Sequence, residues 1–357
     1  MRLVTLSRCE EDFTHERPSD VARVHRNLDP VLHPLRRATE ATRALSAAKL
    51  SRVFAKPFLG ALDGHADGVT CLARSRRDAA SLVSGAADGQ ILIWDVPSRR
   101  AVASLRAHSR AVRGVVCTPD GTGVLSCGDD AAVRFWRTPD AQGGTTLAAA
   151  ASGGGVDQVA PAASFFSKHV FSDLDHHWRR PLFATAGAAV ELWDPSRSEP
   201  VSCHAWGSDT VVAVRFNPSE ADVFASCGSD RSVALYDVRA GTPLRKLVML
   251  KRANKVTWNP QEAFNFVLAS EDNHLYSFDM RRLDAASCVH KDFVSAVTDV
   301  DFSPTGREFV ASSYDRSIRI FAYNSGHSRE VYHTKRMQRC GWLSPTLVKC
   351  LLRCFPQ

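Results

Sequence analysis

The sequence predicts an all-β propeller built from repeated four-stranded blades. Three observations carry this reading. First, six apolar strands close on an aromatic residue: ILIWD at Trp94, VRFWR at Trp136, VELWD at Trp193, VALYD at Tyr236, LYSFD at Phe278 and IRIFA at Phe321. Their spacings are 42, 57, 43, 42 and 43 residues, and a period of about 40–45 residues with such endings marks one blade per repeat. Second, each innermost strand carries an apolar signature: Val69-x-x-Leu72, Val112-x-x-Val115, Val211-x-x-Val214-x-Phe216 and Val297-x-x-Val300-x-Phe302. Turns at Asn217-Pro218, Asn259-Pro260 and Ser303-Pro304 follow the innermost strands of three repeats. Third, a tight turn after the second strand holds an aspartate: Asp88, Asp130, Asp230, Asp272 and Asp315. A carboxylate there can accept from nearby backbone N–H groups.

Along the chain, residues 1–55 read as a basic extended arm, Arg-rich and interrupted by Pro18, Pro30 and Pro34, with a short helix near residues 39–50. Residues 56–338 form the propeller. Its one long interval contains AQGGTTLAAAASGGG, a low-complexity insert about residues 140–163 with too little apolar bulk to order itself. Residues 339–357 are an atypical tail. A chain of 357 residues with 44% apolar content suits one closed repeat domain plus extensions. The net charge of +7 fits an acidic partner such as RNA, but charge speaks to association and not to fold. The ten cysteines lack paired spacing, and Cys71, Cys117, Cys127 and Cys227 sit in apolar stretches, as reduced buried thiols do. No stretch reaches the roughly 18 apolar residues of a membrane span, and the N-terminal apolar run is too short for a secretory signal.

Two repeats carry a full polar set: His65, Ser84, Asp88, Trp94 and His108, Ser126, Asp130, Trp136. Ser, His and Asp together invite a hydrolase reading. Recurrence of the same types at the same offsets favours an internal hydrogen-bond network instead, because buried polar groups need partners. Phosphate-binding loops, dinucleotide fingerprints, H-E-x-x-H and C-x-x-C pairs do not occur. Asp175-His176-His177-Trp178 draws the eye, but adjacent strand histidines point to opposite faces and make a poor metal site. The expectation is therefore no enzyme, no cofactor, no metal and no small-molecule substrate.

Flanking sequence says more. The matching stretches are Asn27-Leu28-Asp29-Pro30, Leu32-His33-Pro34, Ala44-Leu45, RVFAKPFL at 52–59, DHHW at 175–178, YDVR at 236–239, FDMRRLD at 278–284 and SREVYHTKRMQ at 328–338. Over roughly residues 1–338 the chain closely resembles the Sof-type WD-repeat proteins, also described as cullin-4-associated factors. The resemblance implies a seven-bladed WD-repeat propeller acting as a scaffold in the small-subunit processome. There it would stand beside the box C/D small nucleolar ribonucleoprotein and pre-rRNA, with a nuclear, nucleolar address. It also implies a second role as substrate receptor of a cullin-4 ubiquitin ligase. The family feature for that role is an aromatic-Asp-x-Arg ending, which occurs twice, at Tyr236-Asp237-Val238-Arg239 and Phe278-Asp279-Met280-Arg281. Arg239 and Arg281, with Asp237 and Asp279, are the candidate partner-binding residues, since a planar guanidinium on a rim can pair with a partner's carboxylate or backbone.

The chain departs from that family at its end. From Arg339 it reads RCGWLSPTLVKCLLRCFPQ, without a further blade signature or a basic region, as an alternative or misread 3′ exon would read. Its last four residues match a C-a-a-X pattern formally, but Pro356 argues against prenylation. Phe293 stands at the offset of His65 and His108. The expectation is six recognisable blades of seven, an orphan first strand near residues 56–62, and a gap or makeshift closure. Residues 53–62 and the tail from Glu330 are expected to pair weakly or not at all, with lower stability than a full-length form, poor solubility, and loss of the segment that would supply RNA affinity and nucleolar retention.

Overall fold

The computed structural model describes residues 62–75, 78, 80–137, 160–205, 210–240 and 242–333, together with Ala38, Ala41, Thr42 and Leu45. The chain divides into two units, Met1–Leu59 and Gly60–Gln357. In the first, Ala38, Ala41, Thr42 and Leu45 are helical, and Thr42 Oγ1 donates to Ala38 O at 2.8 Å. These residues fall in and beside the stretch expected near 39–50; the rest of the arm lies outside the described residues. Among the described residues, no helix is long and apolar enough to cross a membrane.

The second unit is a six-bladed, all-β propeller. Blade 1 is β1 (Val69–Arg74), β2 (Ser81–Ala86), β3 (Gln90–Asp95) and β4 (Arg100–Arg106), and blade 2 is β5 (Val112–Cys117), β6 (Gly123–Gly128), β7 (Ala132–Arg137) and β8 (Ala163–Phe166). Blade 3 is β9 (Asp173–His176), β10 (Phe183–Ala186), β11 (Val190–Trp193) and β12 (Ser202–His204). Blade 4 is β13 (Val211–Phe216), β14 (Val223–Gly228), β15 (Ser232–Asp237) and β16 (Pro243–Val248), and blade 5 is β17 (Ala253–Trp258), β18 (Asn265–Ser270), β19 (Leu275–Asp279) and β20 (Cys288–His290). Blade 6 is β21 (Val297–Phe302), β22 (Glu308–Ser313), β23 (Ser317–Ala322) and β24 (Ser328–His333). Each sheet runs in chain order, antiparallel, from its innermost to its outermost strand. The first-to-second and third-to-fourth turns therefore emerge on one rim, called the lower. The second-to-third turns and the linkers between blades emerge on the upper rim.

Local chemistry explains the turns. Asp88, Asp130, Asp230, Asp272 and Asp315 each accept, through Oδ1, the backbone N–H two residues on, at 2.8–3.4 Å. The residue between adopts positive φ, at Gly89, Ala131, Arg231, Asn273 and Arg316. The carboxylate replaces a hydrogen bond that this left-handed step takes from the ladder.

The cores lie between blades. Five apolar clusters join blade 1 to 2, 2 to 3, 3 to 4, 4 to 5 and 5 to 6. The six closing aromatics are all buried. In blades 3–6 each lies opposite a second-strand phenylalanine: Phe183↔Trp193, Phe224↔Tyr236, Phe266↔Phe278 and Phe309↔Phe321. Those pairs stack at 4.8–6.2 Å between centroids. In blades 1 and 2 the opposite residue is Leu82 or Val124, and the indole N–H donates to a second-strand serine, as Trp193 of blade 3 donates to Thr185. Cys71, Cys127 and Cys227 are buried and form no disulfide among the described residues, and burial pushes the Cys227 thiol up to about 12.

No such cluster joins blade 6 to blade 1 among the described residues, and β21 does not pack on β1 as the other innermost strands pack on their neighbours. A sixth cluster, Leu62 with Leu82, Leu92, Trp94 and Val96, lies within blade 1 and its leading residue. Leu62 is thus buried, while residues 53–61 and the tail from Thr334 lie outside the described residues. One expectation is corrected: the chain from Glu330 does pair. Ile320↔Glu330, Arg319↔Val331, Ile318↔Tyr332 and Ser317↔His333 make β24 the ordinary outer strand of blade 6. The reason is that β23 offers a full outer edge, and SREVYH satisfies it locally without any seventh blade. The expected insert also gives way to order at its end, since Ala162 N donates to Phe135 O at 2.8 Å and β8 begins at Ala163. Residues 138–159 lie outside the described residues.

Candidate functional site

The repeated polar set forms fully in blade 2. His108 Nε2 bonds Ser126 Oγ at 2.8 Å, His108 Nδ1 bonds Asp130 Oδ1 at 2.8 Å, and Trp136 Nε1 donates to Ser126 Oγ at 3.1 Å. Burial lowers the proton affinity of His108, although the Asp130 carboxylate partly restores it. Blade 1 differs from the expectation of a full set. His65 Nε2 bonds Ser84 Oγ at 2.6 Å and Trp94 Nε1 donates to Ser84 Oγ at 2.7 Å, but His65 Nδ1 has no hydrogen-bond partner among the described residues, and Asp88 acts on His65 through charge while its Oδ1 accepts from Gln90 N. The half-buried His65 ring is not clamped between two neighbours as the buried His108 is. Ser84 and Ser126 are both fully buried, with their hydroxyls engaged by His and Trp.

Ser126→Ala and Ser84→Ala are both expected to lower stability, on the order of 1–3 kcal/mol, by orphaning buried donors. Ser126→Ala should cost more, because its histidine is buried and held at both nitrogens. Urea unfolding of the two variants checks the order. A hydrolase activity lost at unchanged melting temperature would overturn the structural reading of these residues.

The lower rim carries a ladder from blade to blade. His177 donates from Nε2 to Ala221 O, while its Nδ1 accepts from Arg179 N and Arg180 N at 2.9 Å each. Acceptance at Nδ1 leaves Nε2 as the donor nitrogen. Asn217 Nδ2 donates to Ala263 O at 2.7 Å, and Asn259 Nδ2 donates to Gly306 O at 3.1 Å. Each asparagine Oδ1 also accepts from its own turn. Gly306 sits at φ +68°, and a Cβ there would meet Asn259 Oδ1 at 2.3 Å, so glycine is required. Among the described residues, no group of three or more His, Cys, Asp or Glu could hold a metal ion.

Arg239 and Arg281 stand on this lower rim, in third-to-fourth turns of adjacent blades. Asp237 Oδ1 accepts from Arg239 N, and Asp279 Oδ1 from Arg281 N, both at 2.9 Å. The aspartates thus build the turns that present the arginines. Both guanidinium groups are largely exposed. Arg239 pairs with Asp222, which also takes Arg180 at 3.1 Å. Arg281 pairs with Asp279 at 3.0 Å, lies over the Phe264 ring at 4.2 Å, and holds the Asp279 carboxyl below its ordinary range. Arg245 Nη1 donates to Arg281 O at 2.6 Å, tying blade 4 to this turn.

Sequence reasoning missed a charged cluster on the innermost strands. Asp173 of β9 accepts from Arg215 Nη1 of β13 and Lys255 Nζ of β17, both at 3.0 Å. Arg215 further donates to Leu174 O at 3.1 Å, and the neighbouring Asp175 accepts from Phe216 N at 2.7 Å. Burial pushes the Asp173 carboxyl up, but the Arg215 and Lys255 charges outweigh it and hold it below the usual range. The members lie 42 and 82 residues from Asp173, so no local motif signals them.

The fold and the repeated turns define a WD-repeat propeller, and the family model for the WD domain, G-beta repeat, matches residues 56–95, 99–137 and 287–321. Protein SOF1 of Saccharomyces cerevisiae is 43% identical over 95% of the chain and 71% of its own length. DDB1- and CUL4-associated factor 13 of Xenopus laevis is 47% identical over 95% of the chain and 73% of its own length, and that of Homo sapiens is 46% identical over the same shares. The chain belongs to the WD-repeat family that includes these proteins, and its propeller is a WD-repeat scaffold.

Proposed function

We propose that this chain is a non-catalytic scaffold of the small-subunit processome, acting in ribosome biogenesis and 18S pre-rRNA processing in the nucleolus. One observation carries the reading. The likeness to Protein SOF1 runs over 95% of the chain, so it takes in most of the arm at residues 1–55 as well as repeats common to many WD proteins. The Sof-type resemblance implies partners among processome proteins, the box C/D small nucleolar ribonucleoprotein and pre-rRNA. An Arg-rich arm suits such partners. The non-catalytic part rests on Ser84 and Ser126, whose hydroxyls are buried and engaged by His and Trp. Purification of the tagged chain from nuclei should recover pre-rRNA and box C/D proteins. Recovery of the cullin-4 adaptor without pre-rRNA would overturn the reading.

A second reading, substrate receptor of a cullin-4 ubiquitin ligase, is favoured by the two exposed arginines and by relatives named for association with DDB1 and CUL4. Arg239→Ala combined with Arg281→Ala is expected to weaken DDB1 binding about tenfold or more. The fold should stay intact, because exposed ion pairs contribute little to stability. Unchanged binding of the double variant would remove this rim from the ligase reading.

A further inference from the structure

The upper rim of blades 4–6 presents apolar side chains that the fold does not use. Leu250 is 82% exposed, Val294 79% and Tyr314 55%. Leu250 and Val294 stand at one repeat offset, three residues before β17 and β21. In blades 1 and 2 the same offset holds small exposed residues, Ala66 and Ser109. In blade 3 it holds Val170, 49% exposed, so exposed apolar residues stand at this offset before blades 3, 5 and 6. The propeller geometry does not impose them, since it accepts small residues there in blades 1 and 2.

Backbone hydrogen bonds hold each upper-rim turn to the linker beside it. Met249 N donates to Arg231 O at 2.9 Å, Glu271 N to Arg252 O at 3.1 Å, and Tyr314 N to Ala296 O at 3.1 Å. Val294 N approaches Asp315 Oδ2 at 3.4 Å, which places Val294 beside Tyr314. Asn254 Nδ2, at the irregularity that opens β17, donates to Val297 O at 2.8 Å and locks blade 5 to blade 6. The surface is rigidly framed.

Charge on the arc is one-sided. Its aspartates bond within the protein, Asp230 to Ser232 and Lys246, Asp272 to His274 and Tyr276, and Asp315 to Ser317, while the exposed Glu271 pairs with the exposed Arg252. The exposed cations Arg231 and Lys251 have no side-chain partner among the described residues. Acids satisfied within the protein, cations open to solvent and three exposed apolar side chains make a surface complementary to negative charge combined with apolar bulk.

We infer that this upper-rim arc docks an acidic protein segment that carries apolar side chains, with Leu250, Val294 and Tyr314 as its apolar contacts and Arg231 and Lys251 as its charge contacts. The arc lies on the rim opposite Arg239 and Arg281, so the two surfaces can be occupied together, and failure of either leaves the other standing.

A short random peptide library displayed on phage and panned on the full chain tests this. Enriched peptides should be acidic with at least two apolar residues. Their affinity should fall about tenfold or more with Leu250→Ser plus Val294→Ser, and again with Lys251→Glu. Arg239→Ala plus Arg281→Ala should leave it unchanged. Melting temperatures of the surface variants should match the parent. No enrichment, enrichment of basic or purely apolar peptides, or binding indifferent to Leu250 and Val294 would overturn the inference. So would a poly-uridine oligonucleotide that binds through Lys251 and displaces the peptides, since the arc would then be an RNA surface.

Discussion

Asp173→Ala is expected to destabilise the propeller by about 3–5 kcal/mol, the range for removing one partner of a buried ion cluster. The Asp173 side chain is nearly inaccessible, and it accepts from Arg215 and Lys255, drawn from two other blades. Without it, Arg215 and Lys255 lose the carboxylate that both contact, and Arg215 keeps only the attraction of the acidic residues around it, Asp175, Asp299 and Asp301. The pH dependence follows from the direction of the shift. The folded-state carboxyl is held below its unfolded value, so its contribution is fully present above the unfolded pKa of about 3.9 and is lost as pH falls through the folded value. Urea midpoints of parent and variant should therefore differ widely at pH 7 and converge in acid. A gap that stays constant on acidification would mean that Asp173 acts through packing and not through charge.

Trp136→Ala should cost about 3–5 kcal/mol, the range for emptying a large buried aromatic site. Trp136 fills the core between blades 1 and 2, with Val112, Val115 and Val124. Its loss also removes the indole donor to Ser126 and loosens the clamp on His108. Trp136→Phe keeps most of the bulk and should lose only the hydrogen-bond part, on the order of 1 kcal/mol. Equal destabilisation by the two substitutions, measured by denaturant unfolding, would place the energy in the hydrogen bond and contradict the packing argument.

What could be read from the residues alone was what short stretches of chain decide. The aromatic endings at Trp94 through Phe321 announce six repeats because each strand must bury one face, and that requirement acts within a few residues. The aspartates of the second-to-third turns were legible for the same reason: a carboxylate and the N–H two residues on belong to one turn. Asp237 and Asp279 were visible as motif members, though not as the groups that bend the turns presenting Arg239 and Arg281.

Contacts between blades were not legible. Nothing near Arg239 in sequence points to Asp222, and nothing near Arg281 points to Phe264, because each pair is brought together by strand pairing within a blade. The likeness of the two polar sets concealed a difference: His108 reaches Asp130, while His65 Nδ1 has no hydrogen-bond partner among the described residues. Identical residue types at identical offsets do not fix a ring orientation that neighbouring side chains decide. The Asp175–His176–His177–Trp178 stretch, read as surface or structural histidines, holds the first rung of a ladder continued by Asn217 and Asn259.

The sequence by itself determined a repeat-built propeller of this family, its turns and its closing aromatics, since hydrophobic periodicity and side-chain-to-backbone bonds are short-range. Only the tertiary structure decided which blades share a core, that the chain from Glu330 completes blade 6, that Asp173 meets Arg215 and Lys255, and which apolar side chains stay on the upper rim. Those outcomes depend on how whole sheets pack on one another, which no stretch of chain shorter than a blade can specify.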